Sequence, residues 1–164
     1  MQLARTLLLL LVAPIIAAIA TDWAEWTGAV RVACVGDSIT FGGASEASQL
    51  PLAERYPTIL QTLLGGSASS ASYVNVTSFT IPGTHASRDF GADVSAQDNG
   101  VWNDSLAFDP HVVLLMLGAN DAQHGAAGQL AGNLRALVAG YVAQRPDVVV
   151  VLLSVLPLNP GIWF

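Results

Sequence analysis

The apolar positions of this chain fall into four short runs, each bounded by Gly, Pro or Asp. Three of these runs, residues 30–35, 112–117 and 148–156, are apolar almost throughout, and residues 73–81 alternate between apolar and polar. Runs of this kind are typical of strands in a sheet that is covered on both faces. The pattern therefore predicts four strands, most of them buried.

Helical spacing separates these strands. Apolar residues of 57–64 lie on one helical face, which starts at Pro57 and is followed by Gly65-Gly66. Leucines and valines of residues 130–142 recur at the same spacing, and Pro146 marks the end of that helix. Residues 39–49 form a predicted loop, and residues 84–109 are polar and show no clear periodicity.

Strands that alternate with helices predict an α/β fold, a three-layer α/β/α sandwich around a parallel sheet. In such folds the catalytic and ligand-binding residues lie beyond the carboxyl ends of the strands. Polar clusters follow three predicted strands directly: Gly36-Asp37-Ser38, Pro82-Gly83 and Gly118-Ala119-Asn120-Asp121. We therefore expect these clusters to share one edge of the sheet.

The amino-acid composition excludes several classes of protein. Of the 164 residues, 52% are hydrophobic and 11% are charged, which excludes a disordered chain. The net charge is −6 and the six basic residues are scattered, so no basic surface for nucleic acid is expected. A single cysteine, Cys34, excludes a disulfide framework and a cysteine-built metal site.

The N-terminus has the three-part pattern of a secretory signal peptide. Arg5 precedes an uncharged run over residues 7–20, which ends in Ala18-Ile19-Ala20. A membrane anchor and a buried helix are the alternatives, but 14 residues are fewer than the roughly 20 that span a bilayer. Residues 1–20 are therefore predicted to be a signal peptide and residues 21–164 the mature domain, secreted and without a stable membrane span.

Ser38, Gly83 and Asn120 each have an ordinary structural explanation, as a helix cap, a residue with an unusual backbone angle and a turn residue. Together they match the needs of acyl transfer. A serine hydroxyl can attack an ester carbonyl, and the backbone N–H groups of Ser38 and Gly83 with the Asn120 carboxamide can stabilise the oxyanion.

The motifs resemble those of the SGNH (GDSL-type) esterases and lipases. Residues 36–42, Gly-Asp-Ser-Ile-Thr-Phe-Gly, are similar to the nucleophile segment, and residues 118–121 are similar to the oxyanion asparagine motif. The segment around Gly83 is a looser match. The resemblance implies a flavodoxin-like sheet, an acyl-serine intermediate and no metal or organic cofactor. It also implies that Asp37 fixes the nucleophile loop and that Asp121 fixes the Asn120 turn.

The family's Asp-x-x-His pair, which supplies the general base and its carboxylate, lies beyond a fifth strand, and no such pair follows the fourth predicted strand here. The one match to this spacing, Asp121 and His124, belongs to the segment of the asparagine motif. Relative to the family, the domain is expected to lack its last strand and helix. His111 is predicted at the amino end of the sheet. His85 and His124 lie on the correct edge and are weak substitutes for the base, although each is expected to be a surface loop residue without an orienting carboxylate.

These residues are therefore expected to form a fragment with negligible esterase activity. A fragment or mis-predicted gene product, a genuine short pseudoenzyme, and a domain completed by a partner chain all remain open. A carbohydrate- or lipid-binding pseudoenzyme on the same scaffold is the functional alternative. A dinucleotide-binding domain is disfavoured because no Gly-x-Gly-x-x-Gly follows the first strand. Acetylated sugars, lipids and short-chain esters are all possible substrates.

Overall fold

The computed structural model describes residues 29–44, 48–64, 74–89 and 94–154. In this part of the chain, four parallel strands form one sheet in the order β2-β1-β3-β4. The strands are β1 Val30–Gly36, β2 Val74–Thr80, β3 Val112–Met116 and β4 Val149–Leu152. The sequence-based prediction of a parallel α/β fold is confirmed.

Helices connect and cover the strands. They are α1 Ser38–Phe41, α2 Tyr56–Leu64, α3 Val101–Ala107, α4 Ala119–Gln123 and α5 Ala127–Gln144, with a short 3₁₀ helix at Leu52–Glu54. The predicted helices at 57–64 and 130–142 correspond to α2 and α5. Residues 65–66 and 155–156, which the prediction placed in a helix stop and in the last strand, lie outside the described residues.

The sheet has a hydrophobic core on each face, so the fold has three layers. On one face Val32 and Cys34 of β1 pack in a cluster with Leu60 of α2. On the other face, the intervening β1 side chains join a cluster with Val101 of α3 and Leu137 of α5. Both strand faces are buried, as continuous apolar runs require.

One local prediction was wrong, and one stretch for which the sequence predicted no element contains a helix. The loop predicted over residues 39–49 begins with the single-turn helix α1, which Asp37 caps by accepting a hydrogen bond from Ile39 N. The unassigned stretch 84–109 contains α3, whose first N–H is accepted by the Asn99 side chain. Ser105 of α3 is fully buried and bonds to Tyr141 Oη, so a polar residue occupies an inward position of this helix.

The strand order places the polar clusters side by side. β1 lies between β2 and β3, and all three strands are parallel, so their carboxyl ends meet at one edge. The connection after β1 leads to β2 on one side of β1, and the connection after β2 leads to β3 on the other side of β1. In open α/β sheets, ligands bind at the carboxyl ends of the strands where the connections change sides in this way.

The signal peptide predicted for residues 1–20 lies outside the described residues. Within the described ranges, no helix has the length and apolar character needed to cross a bilayer.

Candidate active site

Ser38 is the first residue of α1, directly beyond the end of β1. Its side chain is half-buried, whereas the neighbouring Asp37 is completely buried. The N–H of a first helical residue has no acceptor within its own helix. The strand-to-helix turn therefore places Ser38 at the sheet edge, with its N–H outside the intrahelical hydrogen bonds of α1.

Gly83 follows β2 in a turn and has a φ of +83°, a conformation that favours glycine. A Cβ at this position would meet no atom within 4 Å, so the space beside its Cα is open. The next residue, Thr84, is buried, and its hydroxyl donates to Ile81 O and accepts from Asn99 Nδ2. These bonds fix the backbone immediately after Gly83.

Asn120 is the second residue of α4, beyond the end of β3. Its Nδ2 atom donates to Thr84 O at 2.9 Å and to Asp37 Oδ2 at 3.2 Å. One carboxamide thus contacts the residue next to Ser38 and the residue next to Gly83. The structure therefore brings together the three polar clusters that the sequence placed at separate strand ends.

Burial dominates the electrostatics of Asp37. It raises the pKa of this carboxyl group to about 6, and the negative charge of Asp121 raises the pKa further while the hydrogen bond from Ile39 N lowers it. The Asp37 carboxyl group consequently changes its charge in the weakly acidic range.

Asp121 is also completely buried. The resemblance implied that it fixes the turn of Asn120, whereas its side-chain hydrogen bonds go to a different segment. Its carboxylate accepts hydrogen bonds from Ala86 N at 2.9 Å and from Ser87 N at 2.8 Å. It therefore fixes the chain after Gly83, 34 and 35 positions away, rather than the turn of Asn120.

The predicted surface position of His85 was wrong. Its side chain is buried, and its Nδ1 lies 4.0 Å from Asp121 Oδ2, so a carboxylate does face this imidazole, beyond hydrogen-bonding distance. Burial lowers the pKa of His85, and the neighbouring His124 lowers it further, against the charge of Asp121. The His85 and His124 rings are 5.0 Å apart at their centroids.

The other two histidines lie where the sequence placed them. His124 is exposed at the end of α4, with its Nδ1 2.9 Å from Asn120 O. His111 precedes β3 at the amino end of the sheet, where its Nδ1 accepts a hydrogen bond from Arg31 N. His111 is thus at the edge opposite to Ser38.

Two contributors to the site were missed by sequence reasoning, Thr84 and Asn99. Thr84 supplies the carbonyl that accepts from Asn120, and Asn99 holds the Thr84 hydroxyl. Nothing in the local sequence marks either residue, apart from the position of Thr84 directly after Gly83. Trp102 of α3 packs against Tyr141 of α5, with ring centroids 6.3 Å apart.

No metal site was predicted for this edge. Among the described residues, no group of three or more His, Cys, Asp or Glu side chains is arranged to hold a metal ion.

The sequence profile of the GDSL-like Lipase/Acylhydrolase family matches residues 34–163. A solved structure described as that of a "putative arylesterase" from Agrobacterium tumefaciens str. C58 has the same fold, with a TM-score of 0.54 and 21% sequence identity. The likeness covers 76% of this chain and 62% of that one, so the present chain spans less than two thirds of its structural neighbour. No curated protein sequence matches the chain.

Proposed function

Since the chain belongs to the GDSL-like lipase/acylhydrolase family, we propose that it carries the nucleophile and the oxyanion donors of a secreted serine esterase. Ser38 Oγ attacks the carbonyl carbon of an ester, the alcohol leaves, and water hydrolyses the acyl-serine. The substrates proposed are small esters, such as acetylated sugars, lipids or short-chain esters.

The contacts of Asn120 carry this proposal. Its Nδ2 is 3.2 Å from the carboxylate beside Ser38 and 2.9 Å from the carbonyl beside Gly83, although these residues are 83 and 36 positions away. Stabilisation of an oxyanion needs donors that are held in place before the charge develops. The Asn120 amide, with the N–H groups of Ser38 and Gly83, supplies donors of that kind at one sheet edge.

The proton of Ser38 Oγ needs an acceptor. The one Asp-x-x-His of the sequence, Asp121 to His124, follows β3 directly. Its carboxylate accepts hydrogen bonds from Ala86 N and Ser87 N, and His124 Nδ1 lies 2.9 Å from Asn120 O. A serine without an adjacent base is a weak nucleophile. In a serine protease, removal of the catalytic histidine lowers kcat by about 10⁶. We therefore propose that these residues by themselves hydrolyse esters at a negligible rate, and that His85 and His124 do not supply an effective base.

Imidazole added to the solution can replace a missing histidine and thereby test the nucleophile. The measurement is hydrolysis of p-nitrophenyl acetate by the wild-type chain and by Ser38→Ala, with and without imidazole. Without imidazole we expect equal rates, because Ser38 has no base. With imidazole we expect a rate increment that only the wild type shows and that follows the imidazole concentration. The Ser38→Ala variant corrects for the reaction of imidazole itself with the ester.

Two other outcomes would contradict parts of the proposal. Ser38-dependent turnover without imidazole would show that the chain holds its own base, and His85→Gln and His124→Gln would then identify it. No Ser38-dependent increment and no covalent labelling of Ser38 by a fluorophosphonate, with imidazole present, would refute the esterase and favour the non-catalytic binding protein.

A further inference from the structure

The carboxamide of Asn120 is fully engaged within the protein. A carboxamide has two N–H donors, and Asn120 Nδ2 has two acceptors, Thr84 O at 2.9 Å and Asp37 Oδ2 at 3.2 Å. A donor to an oxyanion must offer an N–H to the substrate. One of these two bonds must therefore yield or be shared when the oxyanion forms, and the longer one is the bond to Asp37.

The two oxygens of the Asp37 carboxylate accept hydrogen bonds from two different segments of the chain. Its Oδ1 accepts a hydrogen bond of 2.8 Å from Ile39 N and so caps α1, the helix that begins with Ser38. Its Oδ2 accepts from Asn120. A single, completely buried carboxylate thus connects the nucleophile's helix to the carboxamide that is 83 positions away.

We infer that Asp37 is a positioning residue, which holds one N–H of Asn120 beside Ser38 so that this N–H can be shared with an ester oxyanion. The inference rests on the proposed function, since it concerns the same site. Asp37 does not touch the ester in this arrangement and acts through Asn120. Thr84 O holds the second N–H and fixes the plane of the carboxamide.

The ionisation of Asp37 makes this inference measurable. An ionised carboxylate accepts a hydrogen bond more strongly than a neutral one, so protonation of Asp37 weakens its bond to Asn120. The charged or titratable groups that act on Asp37 are Asp121, which raises its pKa, and Tyr56, whose own pKa is raised mainly by burial and further by the charge of Asp37. Because the pKa of Asp37 is about 6, the change occurs at a pH where spectra can be recorded.

The test is a pH titration of the side-chain amide signals of the uniformly ¹⁵N-labelled chain by NMR, from pH 4.5 to 8. Asn120→Ser identifies the Asn120 signals by their loss. We expect one of the two Asn120 amide protons to shift with a midpoint near pH 6, and the proton that faces Thr84 O to move much less. A uniform structural change at that pH would move both protons together.

Three variants complete the test. Asp37→Ser keeps a cap oxygen for α1 but removes the second acceptor, and Asp37→Asn places an uncharged group there, so both should abolish the titration of Asn120. Asp98→Asn removes a carboxylate that pairs with Arg88 and contacts neither residue, so it should leave the titration unchanged. The wild-type titration needs no variant to fold: Asn120 protons that do not move between pH 4.5 and 8 would overturn the inference.

Catalytic rates separate this inference from the proposed function. In the imidazole assay, Asp37→Ser should lower the Ser38-dependent rate at saturating ester by tenfold or more with little change in KM. A Ser38-dependent rate that Asp37→Ser leaves unchanged would overturn the positioning role alone. If the wild type has no Ser38-dependent rate at all, the proposed function and this catalytic role fail, whereas the NMR titration still decides whether Asp37 holds the carboxamide.

Discussion

At the scale of single residues, buried polar side chains hold distant segments together. Asp37 binds Asn120, Asp121 binds the N–H groups of Ala86 and Ser87, and His111 binds Arg31 N. Each group is nearly or completely buried, so the loss of its partner would cost the energy of an unsatisfied polar group. These residues are therefore structural links as well as candidates for chemistry.

The His111 imidazole should make the protein sensitive to acid. Burial first, and then the charges of Arg31 and Arg145, lower the pKa of His111 to about 4. The unfolded chain, with a histidine pKa near 6.5, binds more protons at this site between these values. The contribution of His111 to the free energy of unfolding should therefore fall by up to about 3 kcal/mol as the pH falls from about 6.5 to 4. The raised pKa of Asp37 acts in the opposite direction below about pH 6, so the contribution of His111 is the difference between the wild type and a variant without this imidazole.

Urea denaturation of the wild type and of His111→Asn at several pH values measures this effect. The asparagine oxygen can accept the hydrogen bond from Arg31 N and does not titrate, so His111→Asn should lose less free energy of unfolding than the wild type between pH 6.5 and 4. His124→Asn, at an exposed position, is the matched control. A pH dependence that His111→Asn leaves unchanged would contradict the assignment.

Single residues also show how far the sequence allows prediction. Ser38, Gly83 and Asn120 could be placed at one edge because each follows a strand that is recognisable from its apolar run. The burial of His85 could not be foreseen, since it depends on a segment that Asp121 holds from 34 and 35 positions away. A contact of that kind leaves no local pattern.

At the scale of elements, prediction succeeded where burial is continuous and failed where polar residues face inward. Strands β1 and β3 were found because their residues are buried on both faces of the sheet, and β2 was found from its alternation of apolar and polar residues. Helix α3 was missed because Ser105 lies among its inward positions, where it bonds to Tyr141 of α5 and to Trp102 O. Helix α1 was missed because a single turn is too short to show a period.

Helix α5 offers a matched pair of glycines for testing the packing of α3. A Cβ on Gly140 would lie 2.2 Å from Trp102 Cζ2, whereas a Cβ on Gly132 of the same helix would meet nothing within 4 Å. Gly140→Ala should therefore lower the free energy of unfolding by about 1–3 kcal/mol through overpacking. Gly132→Ala should raise it by about 0.5–1 kcal/mol, because alanine favours a helix.

Chemical denaturation of both variants measures these changes in the free energy of unfolding. Trp102 packs in the core cluster that includes Tyr141, so its ring cannot move aside without disturbing other contacts. Equal effects of the two substitutions would show that α3 and α5 do not approach each other as described.

At the scale of the whole molecule, acidity and exposed apolar residues act together. The net charge of −6 keeps copies apart at neutral pH, and the isoelectric point near 4.6 removes this repulsion in weak acid. Leu52 and Leu152 are 66% and 54% exposed, and Leu152 lies on β4, a terminal strand of the described sheet. Exposed apolar strands at a sheet edge promote association.

Light scattering between pH 4 and 7 should therefore be highest near pH 4.6. Leu152→Lys should lower the scattering there more than Leu52→Lys, since both change the net charge equally but only Leu152 lies on the sheet. If the two lysine variants behave alike, charge rather than the β4 edge governs the association.

The two margins of this sheet are not equivalent, and Gln61 is the reason. From α2, its side-chain amide donates to Val74 O at 2.9 Å and accepts from Val76 N at 2.6 Å, so it occupies the main-chain groups that an additional neighbour of β2 would need. In the described part of the chain, β4 bounds the other side of the sheet. An additional strand can therefore pair with β4 more readily than with β2, because at β4 it does not have to displace the Gln61 side chain.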